Sequence, residues 1–365
     1  MKSIIKSQLL GKKMMYLYFL VLLMSMIIGG FGKYNSIPVI LFTLLFAIYV
    51  RQINVCICVI CIFLPTMIYS LINKSAYIHI VLDIIDFYFI FSSINILKYL
   101  SFSSDISKKI FKYSLFLIFL SVFGMIIPNL YSFTDGKYRY DGIFTSSGNT
   151  SASIFCILGI LIWEIYKKYN ICFNRKKALL LFLFLSYLLY VYVSETRTLL
   201  FAIPYWICQL LNTFSKKMVY LIGTVGLFLL SPSLISEIGE KMRIQDDASY
   251  NTRLYLYTML IDGIKDNWVV IPHGCHKAWD LVRIDADSEG LSAHNDFLKY
   301  IYDWGITFII LLIFIYKRIS YICKLNINVL LILLAVSSFA LHNILFLPLT
   351  WIPLIFILFF YKKQC

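Results

Sequence analysis

Ile53 to Ile72 reads INVCICVICIFLPTMIYSLI, twenty consecutive positions without a charge. A helix needs roughly 17 to 25 apolar residues to cross a hydrocarbon layer about 30 Å thick, so this stretch has the length and composition of a membrane span. A spanning segment must satisfy its own backbone groups, which leaves a helix or a closed barrel. The absence of period-two alternation excludes the barrel strand.

Similar runs recur on both sides of it. They are Met14 to Gly30, Ile37 to Val50, Tyr77 to Leu97, Ile110 to Tyr131, Thr150 to Tyr166 and Ala178 to Val193. Leu199 to Asn212, Met218 to Leu230, Asp296 to Tyr316, Ile327 to Ala340 and Ile344 to Tyr361 complete the series. The expected fold is all-α: a polytopic integral membrane protein of about 12 transmembrane helices, forming a single membrane domain over residues 1–365. The first run lacks a small-residue cleavage site and reads as a retained signal anchor, and no soluble catalytic domain is expected beside the bundle.

Composition agrees. Of the 365 residues, 60% are apolar and only 14% charged, with a mean hydropathy of +0.81, whereas soluble domains carry about 25% charged residues. The net charge of +14 is placed by topology and not by a nucleic acid ligand. When the helices are threaded alternately from the Lys-rich start (Lys2, Lys6, Lys12, Lys13), 21 of the 33 Lys and Arg residues fall on that same side. This is the positive-inside pattern and places both termini in the cytoplasm.

Nine cysteines do not make a disulfide framework. Cys56, Cys58, Cys61, Cys156 and Cys208 fall in spans, Cys172, Cys323 and Cys365 on the cytoplasmic side, and Cys275 is the one external thiol. Cys56, Cys58 and Cys61 read as small apolar filling.

The external side has the long segments, Ser132 to Asn149 and the large loop 231–295 between the ninth and tenth spans, together with the short turn Ser194 to Thr198. Long loops usually carry function. Within the large loop, Leu254, Tyr257, Leu260, Ile261 and Ile264 recur at helical spacing, which predicts a short amphipathic helix over Thr252 to Ile264. Arg253 stands near its start, where backbone N–H groups favour anions.

All five histidines lie at or near this side. Ser292-Ala293-His294-Asn295-Asp296-Phe297-Leu298 leads into the tenth span and puts an imidazole at the interface, where it can titrate. The plainer reading is a capping cluster with an interfacial histidine. In His79-x-x-x-Asp83-x-x-Asp86 the spacing of four then three stacks the side chains on one helix face. Intramembrane carboxylates usually face a bundle interior or a wet cavity. They form either a proton path coupled to transport or a polar pairing that positions an external arginine. Arg197, in Ser194-Glu195-Thr196-Arg197-Thr198, can grip a phosphate with paired hydrogen bonds, or act as an ion pair with Glu195 or an interfacial anchor. No GxxxxGK[ST], HExxH or paired CxxC motif is present, and the external carboxylates lack a calcium-loop spacing.

Taken in order, Tyr140-Asp141-Gly142-Ile143-Phe144 with Asn149, Glu195-Thr196-Arg197-Thr198-Leu199-Leu200, Arg253 opening a surface helix, and His294-Asn295-x-Phe297-Leu298 with Gly305-Ile306 resemble the O-antigen ligase and polymerase superfamily of bacterial membrane glycosyltransferases. The likeness spans about Tyr140 to Ile306. The chain departs from it at His273-Gly274-Cys275-His276, where members commonly carry a Gly-x-Gly stretch.

The resemblance implies a GT-C-like fold in the bacterial inner membrane, with 231–295 as a periplasmic loop. It implies transfer of sugars carried on undecaprenyl pyrophosphate, without a metal, nucleotide sugar or other cofactor. Partners would be the lipid-linked oligosaccharide, membrane lipids, a chain-length regulator and a flippase, and no nucleic acid.

In that chemistry His294 would be the catalytic base. Arg197 and Arg253, with Arg139 or Arg243 in support, would stabilise the departing pyrophosphate. Asn295, Asp296, Asn149, Asp83, Asp86 and His79 would support the site. Polymerase and ligase differ in acceptor, a lipid-linked repeat unit or lipid A-core, and the pattern around His294 is closer to the polymerases. A lipid-linked oligosaccharide flippase would share the helices and intramembrane charges without needing a base, and a non-catalytic assembly subunit would need neither.

Overall fold

A computed structural model describes residues 2–29, 36–75, 77–134, 137–144, 148–169, 176–194, 202–210, 258–265, 271–278, 296–323 and 348–362. They are mostly helical: α1 (Lys2–Gly29), α2 (Ser36–Val50), α3 (Ile53–Ile72), α4 (Tyr77–Ile96), α5 (Ser104–Gly124), α6 (Gly148–Tyr169), α7 (Lys176–Ser194), α8 (Ile203–Leu210), α9 (Asp296–Trp304), α10 (Ile306–Ile322) and α11 (Pro348–Phe360). Among the described residues, five helical stretches are long and apolar enough to cross a membrane: Ile5–Ile27, Ile53–Ile72, Tyr77–Ile96, Thr150–Tyr169 and Lys176–Ser194. The expected spans Met218 to Leu230 and Ile327 to Ala340 lie outside the described residues.

The helices are built inside out relative to those of a water-soluble protein. On α3 the outward stripe is Ile53, Ile57, Ile60, Leu64, Ile68 and Leu71, all exposed, while the inward face buries Val59, Phe63, Thr66 and Ser70. On α7, Leu181, Leu185, Leu189 and Tyr192 face outward, and Ser186 and Tyr190 face inward. Exposed apolar faces of this extent require a covering. Small hydroxyl residues at the buried faces let membrane helices approach and bond across their interfaces. An example is the 2.8 Å hydrogen bond between Tyr18 Oη and Ser114 Oγ, joining α1 to α5. Cys58 and Cys61 lie on the exposed side of α3, so they meet the surroundings of the bundle and do not fill its interior as expected.

Helix α6 is the central post, almost wholly buried and flanked closely by α5 and α11. Its Glu164 is clasped by Lys167 Nζ at 2.6 Å and by the Tyr205 hydroxyl of α8 at 2.9 Å.

One end of the bundle gathers the turn after α4 with the ends of α10 and α11. Lys362 Nζ donates to the carbonyls of Lys98 and Leu100 at 2.8 and 3.2 Å, and Ser7 bonds Ser101 at 2.7 Å. This end carries Lys98, Lys317, Arg318 and Lys362. The opposite end carries the turn between α3 and α4, the exit of α5 and the start of α9.

Three expectations need correction there. Against the all-α expectation, Tyr131–Thr134 (β1) and Lys137–Tyr140 (β2) after α5 form an antiparallel hairpin with Thr134 opposite Lys137. The helix α5 stops at Gly124, short of Tyr131, because Pro128 cannot continue it. The tenth span, expected as one helix from Asp296 to Tyr316, is broken at Gly305, whose φ of 49° and ψ of −128° suit glycine alone.

Of the amphipathic helix predicted over Thr252 to Ile264, the part within the described residues is helical, over 258–265, and 252–257 lie outside the described residues. Its Leu260 and Ile264 pack with Ala278 against Leu298 and Tyr302 of α9, while Ile261 turns outward. The helix thus lies on α9.

Candidate functional site

The break at Gly305 makes α9 a short helix whose four-residue spacing puts Lys299 and Asp303 on one face. Both are buried, Lys299 at 9% and Asp303 at 1% exposure. Opposite them α4 presents Asp83 and Asp86. Lys299 lies within Coulombic reach of Asp83, Asp86 and Asp303, so a single basic side chain faces three carboxyl groups. A buried charge of one sign persists only when paired, and Lys299 is the cation around which this group is organised.

Residues 271–278 form a roof over it. Gly274 N donates to Asp303 O at 2.9 Å, Ala278 N to Asp303 Oδ1 at 2.6 Å, and Cys275 N to Ser70 Oγ of α3 at 2.7 Å. Asn73 Nδ2 donates to His273 O at 2.6 Å.

Rings add to these bonds: His273 stacks on Tyr302 at 3.8 Å, and His276 on His79 at 4.0 Å. Gly274 has a φ of +109°, and a Cβ there would lie 2.8 Å from Ser70 Cα. The chain can therefore pass this close to α3 only as glycine.

Beneath the charges an aromatic floor of Trp304, Phe63, Phe87 and Tyr300, with ring centroids 4.0 to 5.2 Å from Trp304, separates them from the bundle interior. Asp83 has the Cys275 thiol and the Trp304 indole as polar neighbours. Cys275, expected as an external thiol, is 1% exposed. Burial, and then the nearby Asp83 carboxylate, push its thiol up. Burial lowers His273, partly offset by its hydrogen bond to the Tyr302 carbonyl.

Of the residues singled out in the sequence, His79, Asp83 and Asp86 come together here. Arg139 sits on β2 opposite Ser132, in the hairpin that packs against α7. Asn149 lies in the first turn of α6, and Asp296 opens α9. His294, Asn295, Arg197, Arg243 and Arg253 lie outside the described residues.

The segment Tyr140-Asp141-Gly142 is a buried joint. Tyr140 Oη donates to Ser121 O at 2.9 Å, and Ser132 Oγ donates to Asp141 at 2.9 Å. Burial pushes the Asp141 carboxyl up.

Lys299, Asp303, Ser70 and Asn73 were not singled out from sequence, and His273 and Cys275 stood out there only in the departure from the family pattern and as the external thiol. The readable signal was Lys299-x-x-x-Asp303, a charged helical pair inside an otherwise apolar run that ends at a glycine. Among the described residues no group of three or more His, Cys, Asp or Glu could hold a metal ion.

Apolar helices with outward-facing apolar stripes and a roofed charged cluster at one end define the class, a helical bundle of the kind that crosses membranes. No protein-family model matches the chain, and no curated protein and no solved structure matches it either.

Proposed function

We propose that this protein is a bacterial O-antigen (surface polysaccharide) polymerase. It would join undecaprenyl-pyrophosphate-linked repeat units at the periplasmic face of the inner membrane by inverting, metal-independent glycosyl transfer. The observation that carries the reading is the ordered set of segments from Tyr140 to Ile306. Its support in the structure is that the surface helix 258–265, which follows Arg253 in the chain, packs on α9, which follows His294 and Asn295.

In this reading an acceptor hydroxyl oxygen attacks the anomeric carbon, its proton passes to the His294 imidazole, and the bond from that carbon to the pyrophosphate oxygen breaks. Undecaprenyl pyrophosphate leaves with the electron pair, and its growing charge is met by Arg197 and Arg253, with Arg139 or Arg243 in support. The Asp83, Lys299 and Asp303 cluster holds α9 and the roof in place, so that the entry to α9 is fixed. It is a positioning element and not the reacting centre.

That same cluster favours a second reading, a flippase for lipid-linked oligosaccharides, in which the buried charges couple to proton movement. The lipopolysaccharide ladder of a deletion strain complemented with wild type, His294→Ala or Arg197→Ala separates the two. Core plus one repeat in the deletion and in both variants, at normal protein level, is the expected result. Core alone points to ligase or flippase. A wild-type ladder with His294→Ala removes the base assignment, and a wild-type ladder with all external arginine variants as well indicates a non-catalytic subunit. Extension of lipid-linked repeats by purified protein in detergent, with no second compartment, would separate enzyme from transporter.

A further inference from the structure

A groove of about 260 Å³ opens between α3, α4 and α10, near the end of the bundle that carries Lys98 and Lys362, away from the roofed cluster. Its walls are Val55, Cys58, Val59, Ile62, Phe91 and Phe314. Its polar end is formed by Asn54, Asn95 and Arg318, with no carboxylate among the lining residues.

By the helical rise of 1.5 Å per residue, the groove runs about 12 Å along α3 from Asn54 to Ile62. Arg318 is half-buried. Its Nε donates to Asn95 Oδ1, and its guanidinium lies over the Tyr321 ring at 5.7 Å. Using Nε in this way orients the planar group and leaves its two terminal nitrogens as a fork, the geometry that suits a phosphate. The neighbouring Lys317 is exposed on the next position of α10. Ile57 of α3 and Ile310 and Ile313 of α10 are exposed on the same helices.

We propose that this groove is a binding site for one anionic phospholipid, with an acyl chain along Val55, Cys58, Ile62 and Phe314 and its phosphate on Arg318. The proposal rests on the bundle lying in a bilayer and is independent of the glycosyl transfer reading. Two features of opposite character coincide at one place, an apolar furrow open to the bundle exterior and a pre-oriented guanidinium at its end. A free phosphate would use the second feature without the first. A zwitterionic lipid would use the first while bringing a cation to the guanidinium.

Native mass spectrometry of the detergent-purified full chain, mixed with phosphatidylglycerol or with phosphatidylcholine of the same acyl chains, tests this. One phosphatidylglycerol per chain is expected to persist where phosphatidylcholine does not. Retention is expected to fall at least tenfold in Arg318→Ala, to fall less in Arg318→Lys, and to be unchanged in Lys317→Ala. Filling the furrow by Cys58→Trp, at an exposed position, should remove the lipid while Arg318 stays in place, and decides the matter if Arg318→Ala does not fold. Inorganic phosphate in excess should not displace the lipid. Equal retention of the two lipids, full retention by Cys58→Trp, or displacement by inorganic phosphate overturns the proposal.

Discussion

The imidazole rings of His79 and His276 lie face to face, 4.0 Å between centroids and 7° from parallel. One belongs to the first turn of α4, the other to the roof, and Asp83 lies one helical turn below His79. The stack therefore ties the roof to the helix that supplies two of the three buried carboxylates.

Acid is expected to loosen the roof, and His273 sets the sign. Burial lowers its pKa below the ordinary value of 6.5, so on acidification the unfolded chain takes up the proton before the folded one. Stability from this group is complete above about 6.5 and is lost as pH falls toward the lowered value. Among the groups facing it are the Tyr302 ring and carbonyl and the Asn73 amide. Hydrogen exchange at Gly274, Cys275 and Ala278, expressed as protection relative to intrinsic rates, should weaken between about pH 7.5 and pH 5. Constant protection over that interval would show that His273 does not control the roof.

Gly274→Ala should unseat the roof from α3. The substitution sets a Cβ against Ser70 Cα, a backbone atom that cannot rotate away, at a φ that L residues rarely adopt. Backbone strain of this kind costs about 1 to 3 kcal/mol. The variant should melt several degrees below wild type in detergent and lose the protection of the Cys275 amide. An unchanged melting curve would mean that the contact with Ser70 is not held in solution.

Lys299→Met should be more damaging than its size suggests, because it leaves Asp83, Asp86 and Asp303 without their shared cation. Removing one partner of a buried ionic group typically costs about 3 to 5 kcal/mol. Asp303→Asn keeps the shape and removes one negative charge, so the double variant should recover part of the loss. Thermal unfolding of the two single variants and the double variant gives the coupling directly. Strict additivity would show that Lys299 and Asp303 do not act as one group.

How far the sequence was legible varies with the physics behind each element. The helix α3 begins and ends where its apolar run does, Ile53 to Ile72, because a helix with an outward apolar face is constrained chiefly by composition. The hairpin escaped notice because a four-residue strand beside a long span carries little periodic signal, although Thr134-Asp135-Gly136-Lys137 contains the Asp-Gly pair that favours a two-residue hairpin turn. His79, Asp83 and Asp86 were readable from spacing along one helix. Their partners Lys299 and Cys275 were not, since they arrive from distant segments and depend on the break at Gly305.

Gly142→Ala is expected to abolish accumulation of folded protein. Gly142 has a φ of +86°, and a Cβ added there would overlap the Ser151 side chain of α6 and the Tyr190 hydroxyl of α7. Neither can retreat, because Ser151 lies on the fully packed central helix and Tyr190 is buried between Tyr140 at 5.3 Å and Phe155 at 4.4 Å. Tyr140→Phe is the milder companion. It removes only the hydrogen bond to Ser121 O and should cost about 1 kcal/mol, leaving the hairpin docked. Membrane-fraction yield and melting temperature of the two variants test the joint together. A Gly142→Ala protein as abundant and as stable as Tyr140→Phe would mean that the hairpin can lift away from α6 and α7 without unfolding the bundle.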